Sequence, residues 1–206
     1  MARRTLEWPE GQFAIPVSTV LFSGKSDIVP LEEIIKKYNA SMRFLVTSFS
    51  RLIDDLGFDY NARVYNDANI SHTSSGTEQA LTFNQERYDI REMHSTTSNT
   101  GRLTAIRAGV YMIGGHIEWA ANSTGQRTIT IKHTDSTPTT TVIAEHTSDA
   151  TASGAHPQSI GTVYELAVND YVELFTNQNS TGSLNVLVTG NYSPEFWIQW
   201  CSPATS

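Results

Sequence analysis

The chain has 206 residues, a formal net charge of -7, 17% charged residues and a single cysteine. Because phosphate neutralisation needs clustered cations and no long Lys/Arg run is present, the composition argues against nucleic-acid binding. Cys201 has no intrachain partner, so the fold must be stabilised by its core rather than by a disulfide. No segment is long and apolar enough for membrane insertion.

Residues 1–29 show neither helical nor strand periodicity. Large apolar residues are scattered there among Pro and Gly, namely Trp8, Phe13, Ile15 and Phe22. So apolar a segment should not stay exposed to water, and it either packs on its own head or docks into a partner assembly. We expect an extended N-terminal arm that anchors the protein. Arg3 and Arg4 precede polar residues rather than an apolar run, which predicts that the chain has no export signal.

Residues 30–57 are predicted to form one helix, with Pro30 suited to its first turn and Gly57 to its C-terminal cap. Its apolar residues recur at alternating steps of four and three, which is the period of a coiled coil. These seam residues are Leu31, Ile35, Tyr38, Met42, Leu45, Phe49, Leu52 and Leu56. Bulky Phe and Tyr residues in the seam favour a parallel trimeric coiled coil. The alternative is a single amphipathic helix that lies on its own domain.

Residues 58–206 are predicted to be a mostly β head domain, because short runs of β-branched and aromatic residues alternate with turn residues. The ten predicted strands are 62–66, 80–84, 102–106, 109–119, 127–133, 140–146, 161–168, 170–176, 184–189 and 195–201. Ten short strands without an intervening helix predict an antiparallel jelly-roll sandwich. The Thr-rich stretches 134–141 and 147–159 are expected to be loops.

Several sequence blocks occur along the head in a fixed order. They include Ala62-Arg63-Val64-Tyr65, Leu81-Thr82-Phe83, Ala108-Gly109-Val110-Tyr111-Met112-Ile113, Thr162-Val163-Tyr164-Glu165-Leu166, Asp170-Tyr171-Val172-Glu173-Leu174 and Phe196-Trp197-Ile198-Gln199-Trp200. In order and spacing they resemble the globular head of the complement first-component q subunit, within the tumour-necrosis-factor-like superfamily. The resemblance implies a threefold homotrimer that binds ligands through its loops and apex. Asn169 departs from it, since the family usually has Gly there, and a heptad helix replaces the family's collagen-like stalk.

A set of large apolar residues and one glycine is expected to fill the space between two sheets or the trimer axis. The set is Phe83, Gly109, Tyr111, Trp119, Val172, Leu174, Phe196 and Trp197. Arg127 and Asp170 are expected to be structural, either pairing with each other or hydrogen-bonding turns.

No nucleophile elbow, P-loop, dinucleotide fingerprint or zinc motif occurs in the sequence. We therefore predict that the protein is not an enzyme and has no catalytic metal or cofactor. Asp135, Glu145 and Asp149 lie in predicted loops and are candidate calcium ligands, although loop carboxylates are usually only solvated. His116 and Glu118 share one strand face, where a cross-strand partner is favoured over a metal.

An arm, a coiled coil and a knob together form the layout of a short fibre. A phage protein reaches the outside by lysis, so the layout predicts a trimeric structural protein in the virion of a tailed bacteriophage. We expect a head fibre or capsid-decorating spike whose arm binds a capsid or other virion protein and whose knob attaches to a host glycan or protein. The alternatives are a tail or neck fibre, a soluble complement-like or lectin-like protein, and a depolymerase on the same scaffold.

Overall fold

A computed structural model describes residues 31–55, 59–73, 76–151 and 153–204. The predicted anchor residues Trp8, Phe13, Ile15 and Phe22 lie outside these ranges, as does the seam residue Leu56. The backbone of Leu31 is described but its side chain is not. The helix and the head are each described by themselves.

The heptad segment is one α-helix, α1 (Leu31–Asp55). Six seam residues are between 43% and 56% exposed: Ile35, Tyr38, Met42, Leu45, Phe49 and Leu52. Phe44, which lies outside the seam, is 73% exposed. The described residues include no helix that is long and apolar enough to cross a membrane.

The described part of the head contains twelve strands in two antiparallel sheets. They are β1 (Asn61–Tyr65), β2 (Ile70–His72), β3 (Gln79–Ala80), β4 (Gln85–Asp89), β5 (Arg102–Thr104), β6 (Gly109–Trp119), β7 (Gln126–Thr134), β8 (Thr140–Asp149), β9 (His156–Leu166), β10 (Tyr171–Gln178), β11 (Leu184–Val186) and β12 (Glu195–Ser202).

The seven-stranded sheet runs β4-β1-β12-β6-β9, and the short pair β2-β11 joins it beside the C-terminal end of β6. The five-stranded sheet runs β8-β7-β10, with β3 and β5 both pairing the remaining edge of β10. Neighbours in sequence are therefore often distant in the sheets, as in a jelly roll.

The strand count differs from the ten that the sequence predicts. The segment predicted as strand 80–84 divides, because β3 ends at Ala80 and β4 begins at Gln85. Leu81 and Phe83 between them point into the core but donate to the carbonyl oxygens of Leu174 and Thr100 at 2.9 Å each. Short strands such as β2 and β3 carry too few residues for a periodic signal.

The predicted bounds of the loop 147–159 are also wrong at both ends. Strand β8 continues to Asp149 and β9 already begins at His156. Both strand extensions consist mainly of polar residues. On β9, one side of the strand faces solvent and the other side carries the buried Gln158. Gln158 accepts a hydrogen bond from the Trp119 indole N–H at 2.8 Å, so a polar residue completes the core.

A cluster of buried apolar residues forms the core between the two sheets. Phe83 and Phe196 stack within it with ring centroids 5.9 Å apart. Tyr111 is buried and donates its hydroxyl to the Arg107 carbonyl oxygen at 2.6 Å. Burial raises the pKa of Tyr111 to about 12, so the hydroxyl remains a donor at any physiological pH.

Candidate functional site

The residues predicted to fill the core or the trimer axis lie in two places in the structure. Six large residues lie between the sheets with 0% exposure: Phe83, Tyr111, Trp119, Val172, Leu174 and Phe196. Gly109 is buried at the start of β6, where an added Cβ would overlap the Trp200 ring. Trp197 differs from the rest, because it is half-buried on the side of β12 that points away from the core.

That side is the outer face of the seven-stranded sheet, formed by every second residue of β1, β12, β6 and β9. Trp197, Gly114 and Gly161 stand in register across three neighbouring strands. A Cβ on Gly114 would overlap the indole of Trp197, whereas a Cβ on Gly161 would meet only a backbone oxygen at 3.6 Å. The glycines therefore leave a shallow trough beside the tryptophan.

Met112 and Val163 form the next cross-strand pair on this face and are 41% and 61% exposed. With Trp197, Gly114 and Gly161 they make up what we call the outer-face patch. Met and aromatic residues are enriched in the buried centres of protein interfaces. The patch therefore has the residue types that are typical of a protein interface.

An ionic network borders the patch. The Glu195 side chain is only 4% exposed although its strand position faces outward. It accepts from the Nε of Arg63 and from the Nε of Arg87, both at 2.8 Å, and also pairs with the terminal nitrogen of Arg63. The Arg87 guanidinium lies 4.0 Å from the centroid of the Tyr65 ring. The buried carboxylate is thus held by two cations.

His116 lies at the same border of the patch as Glu195, its cross-strand partner on β12. Its Nδ1 is 2.5 Å from the hydroxyl of Ser159, its partner on β9, which is the cross-strand contact that the sequence favours. Its ring packs against Tyr192 at 5.1 Å, and the Tyr192 hydroxyl donates to Glu118 at 3.4 Å. Burial lowers the pKa of His116, against a weaker opposing effect of Glu118 and Glu195. The imidazole is therefore neutral near pH 7.

The three candidate calcium ligands do not form one site. Glu145 and Asp149 lie on strand β8 rather than in a loop, and Asp149 pairs with Gln126 at the start of β7. Asp135 follows the other end of β7, roughly 30 Å away at strand rise. The described residues contain no group of three or more His, Cys, Asp or Glu side chains placed to hold a metal.

Asp135 instead closes a turn. Its Oδ1 accepts from the backbone N–H groups of Thr137 and Thr139 at 2.8 and 2.9 Å, and from the Thr137 hydroxyl at 2.7 Å. The bond from the Thr139 backbone is the largest cause of a lowered pKa for Asp135. The carboxylate thus remains ionised and stabilises the connection from β7 to β8.

Arg127 and Asp170 both hydrogen-bond turns and do not pair with each other. Arg127 is fully buried and donates to three carbonyl oxygens of residues 122–126 at 2.9 to 3.1 Å. Asp170 accepts from the Ala167 N–H at 3.0 Å and lies 2.8 Å from Nε2 of His133. The two residues sit at opposite ends of the β7–β10 ladder. Their expected structural role fits these contacts.

A second concave site, the side pocket, lies against the outer side of the five-stranded sheet. It has a volume of about 300 Å³ and is bordered by the loop before β5 and the turn before β10. Its lining residues include Glu92, Ser98, Asn99, Arg102, Asn169 and Tyr171. The sequence analysis does not identify this pocket, because its residues come from three separate stretches. Only the unusual Asn169 gives a hint of it.

The head is similar to solved structures of tumour-necrosis-factor-like proteins. Eiger TNF from S. frugiperda is 10% identical with a TM-score of 0.52, over 71% of this chain and 94% of that chain. Murine APRIL is 8% identical with a TM-score of 0.51, over 68% of this chain and 98% of that chain. No protein-family model and no curated protein sequence matches the chain.

At these identities the likeness establishes the fold alone. The head has a TNF-like jelly-roll fold, which confirms the predicted jelly roll. The narrower resemblance to the complement first-component q head stays a prediction. So does the coiled coil, since the structure contains one copy of the helix.

Proposed function

We propose that the protein is a non-enzymatic homotrimer that serves as a fibre or decoration subunit in the virion of a tailed phage. The observation that carries this proposal is the heptad helix α1, whose apolar seam is exposed along its whole described length. A seam of this period in contact with water calls for partner helices. The TNF-like head supplies a second self-association surface.

The helix supports the proposal through the positions of its apolar side chains. Ile35, Met42 and Phe49 occupy one heptad position, while Tyr38, Leu45 and Leu52 occupy the other. All six are exposed in a single chain, so the helix has a stripe that no described residue of its own chain covers fully. Three such helices in parallel would bury the stripe around a common axis.

The head supports the proposal through its outer-face patch. Met112 and Val163 are exposed and Trp197 is half-buried, and the trough over Gly161 gives a neighbouring chain space to approach the sheet. The network around Glu195 makes the border of the patch polar, as in protein interfaces. Around a threefold axis each contact between chains is heterologous, so the patch of one copy would meet a different surface of the next copy, and the closed ring would share the symmetry of a threefold coiled coil.

The virion location rests on the layout of the sequence. The apolar residues Trp8, Phe13, Ile15 and Phe22 lie before the helix and are suited to bind a capsid or other virion protein. The knob would then attach to a host surface. Three weak contacts per fibre and many fibres per particle would together give a high avidity. Within this role we favour a head fibre or capsid-decorating spike over a tail or neck fibre.

Particle binding tests the proposal directly. Full-length protein and a variant that lacks residues 1–29 are added to particles devoid of the protein, and bound copies are counted after sedimentation. We expect full-length protein in multiples of three, and soluble trimers of the truncated form that do not bind. Binding of the truncated trimer would contradict the role of the arm. A trimer that binds no particle would instead favour a soluble binding protein, which the TNF-like fold also accommodates.

A further inference from the structure

The backbone of the side pocket is unusual among the described residues. Three residues other than glycine have positive φ in the described part of the chain: Glu92 at 57°, Asn99 at 50° and Asn169 at 73°. All three line the side pocket. Positive φ is disfavoured for side chains with a Cβ, least so for Asn, and such residues cluster at functional sites. Glycine would satisfy these positions more easily, yet each carries a polar side chain.

The pocket also presents polar groups that have no partner in the protein. Among the described residues, no protein group hydrogen-bonds the side-chain amides of Asn99 and Asn169 or the Tyr171 hydroxyl; both Asn residues are exposed and Tyr171 is half-buried, so these groups are open to a ligand from solvent. Together they offer donors and acceptors toward one small volume. The backbones of the two Asn residues are in turn fixed, since the Asn99 carbonyl accepts from Arg102 at 2.9 Å and the Asn169 N–H donates to Ala105 at 2.7 Å.

The Arg102 side chain is positioned by contacts with two neighbouring side chains. Its guanidinium lies 4.0 Å from the centroid of the Tyr171 ring, and its Nε lies 3.3 Å from Oε1 of Glu173. A planar guanidinium fixed in this way donates in defined directions with little further ordering. The pocket therefore combines a rigid cation, an aromatic ring and two amides.

The charges at the site select the class of ligand. Glu173 already pairs with Arg102, His94 is paired with Glu86 at 2.9 Å, and the Glu92 carboxylate is exposed at the rim. Carboxylates thus outnumber cations around the cavity, which disfavours an anion such as an acidic sugar or a phosphate. The remaining groups suit a neutral ligand with several hydroxyls, and about 300 Å³ is small for a bound peptide.

We propose that the side pocket binds one neutral pyranose residue. The inference rests on the attachment role proposed above, since it names the ligand class through which the knob would hold a host glycan. The side pocket borders the five-stranded sheet and the outer-face patch lies on the seven-stranded sheet, so a chain that covers the patch does not thereby fill the pocket. Three pockets per trimer would give the multivalent contact that weak sugar binding needs.

The test is saturation-transfer difference NMR on the full-length protein with single sugars as probes. The neutral probes are glucose, galactose, mannose, rhamnose and N-acetylglucosamine, and the acidic probes are glucuronic acid and N-acetylneuraminic acid. We expect millimolar binding of at least one neutral sugar and weaker or no binding of the acidic ones. The inference is overturned if no neutral sugar binds, or if the acidic sugars bind more tightly.

Two variants separate binding from folding. Asn169→Gly and Asn99→Gly remove the amides but keep a residue that adopts positive φ without strain, so both should fold at least as well as the wild type. Each should weaken the binding of the neutral sugar at least tenfold. Asn185→Ser, at an exposed position of β11 outside the pocket, is the control and should bind normally. If both glycine variants bind the neutral sugar with the affinity of the wild type, the sugar binds elsewhere and the proposed site is wrong.

The outcome can be separated from that of the proposed function. If trimers decorate particles but bind no sugar, the pocket inference fails alone. If the sugar binds and Asn169→Gly abolishes this binding while no particle takes up the protein, the virion role fails and the pocket stands.

Discussion

Phe49→Ala and Phe44→Ala are matched substitutions that test the heptad seam. The two residues lie five positions apart on α1, but only Phe49 belongs to the seam. Phe49 is 53% exposed in a single chain and Phe44 is 73% exposed. Both variants gain the same helix propensity on substitution by alanine. A difference between them therefore reports burial against partner helices.

The magnitude follows from the exposed area of Phe49. An aromatic side chain buries about 150–250 Å², so covering the exposed half removes roughly 100 Å² from water. At about 25 cal/mol per Å² this contributes about 2.5 kcal/mol per chain, of which alanine would lose about 2 kcal/mol. Three chains lose about 6 kcal/mol, which lowers the association constant of the trimer by roughly four orders of magnitude.

Sedimentation equilibrium over a dilution series measures this loss. We expect Phe49→Ala to dissociate at concentrations where the wild type and Phe44→Ala remain trimers. Equal behaviour of the two variants, or stronger dissociation of Phe44→Ala, would refute the assignment of the seam. Circular dichroism of each variant confirms that the head is still folded.

Three further substitutions test the head. Glu195→Gln removes the negative charge that pairs with Arg63 and Arg87. Because both arginines are partly exposed, we expect the free energy of unfolding in urea to fall by about 2 kcal/mol. An unchanged free energy of unfolding would mean that this network does not stabilise the head. The pKa of His156 is lowered first by burial and then by Arg127 and His146. The unfolded chain therefore binds a proton at this residue more tightly than the folded chain does. The free energy of unfolding should fall as the pH drops below about 6.5, and it should fall less steeply in His156→Gln. An unchanged slope in that variant would argue against this linkage. Tyr111→Phe removes the bond to the Arg107 carbonyl and should cost about 1 kcal/mol, whereas an unchanged unfolding midpoint would mean that water replaces it.

The parts of the fold that the sequence predicts well are those with a long periodic signal. Helix α1 repeats its apolar residues over 25 residues, and β6 alternates over 11. Both were therefore located within one or two residues. Strands β2 and β3 span three and two residues and have no such signal, since their pairing depends on β11 and β10, which are distant in sequence.

Burial was predictable for the core but not for the surfaces. Trp197 follows the same apolar pattern as Phe196, yet strand alternation turns it to the outer face. The side pocket depends on three positive φ angles and on a loop brought beside β10, and neither is encoded in a local pattern. The sequence does show Asn169 as a departure from Gly, and its φ of 73° favours Gly or Asn over most other residues at this position.

The measurement that tests the account most directly is the mass of the intact protein in solution by light scattering. The account predicts a single species with three times the chain mass of 22.8 kDa, stable on dilution. A monomer or a dimer at the same concentrations would contradict the proposed trimer, and with it the fibre role of the helix and the head.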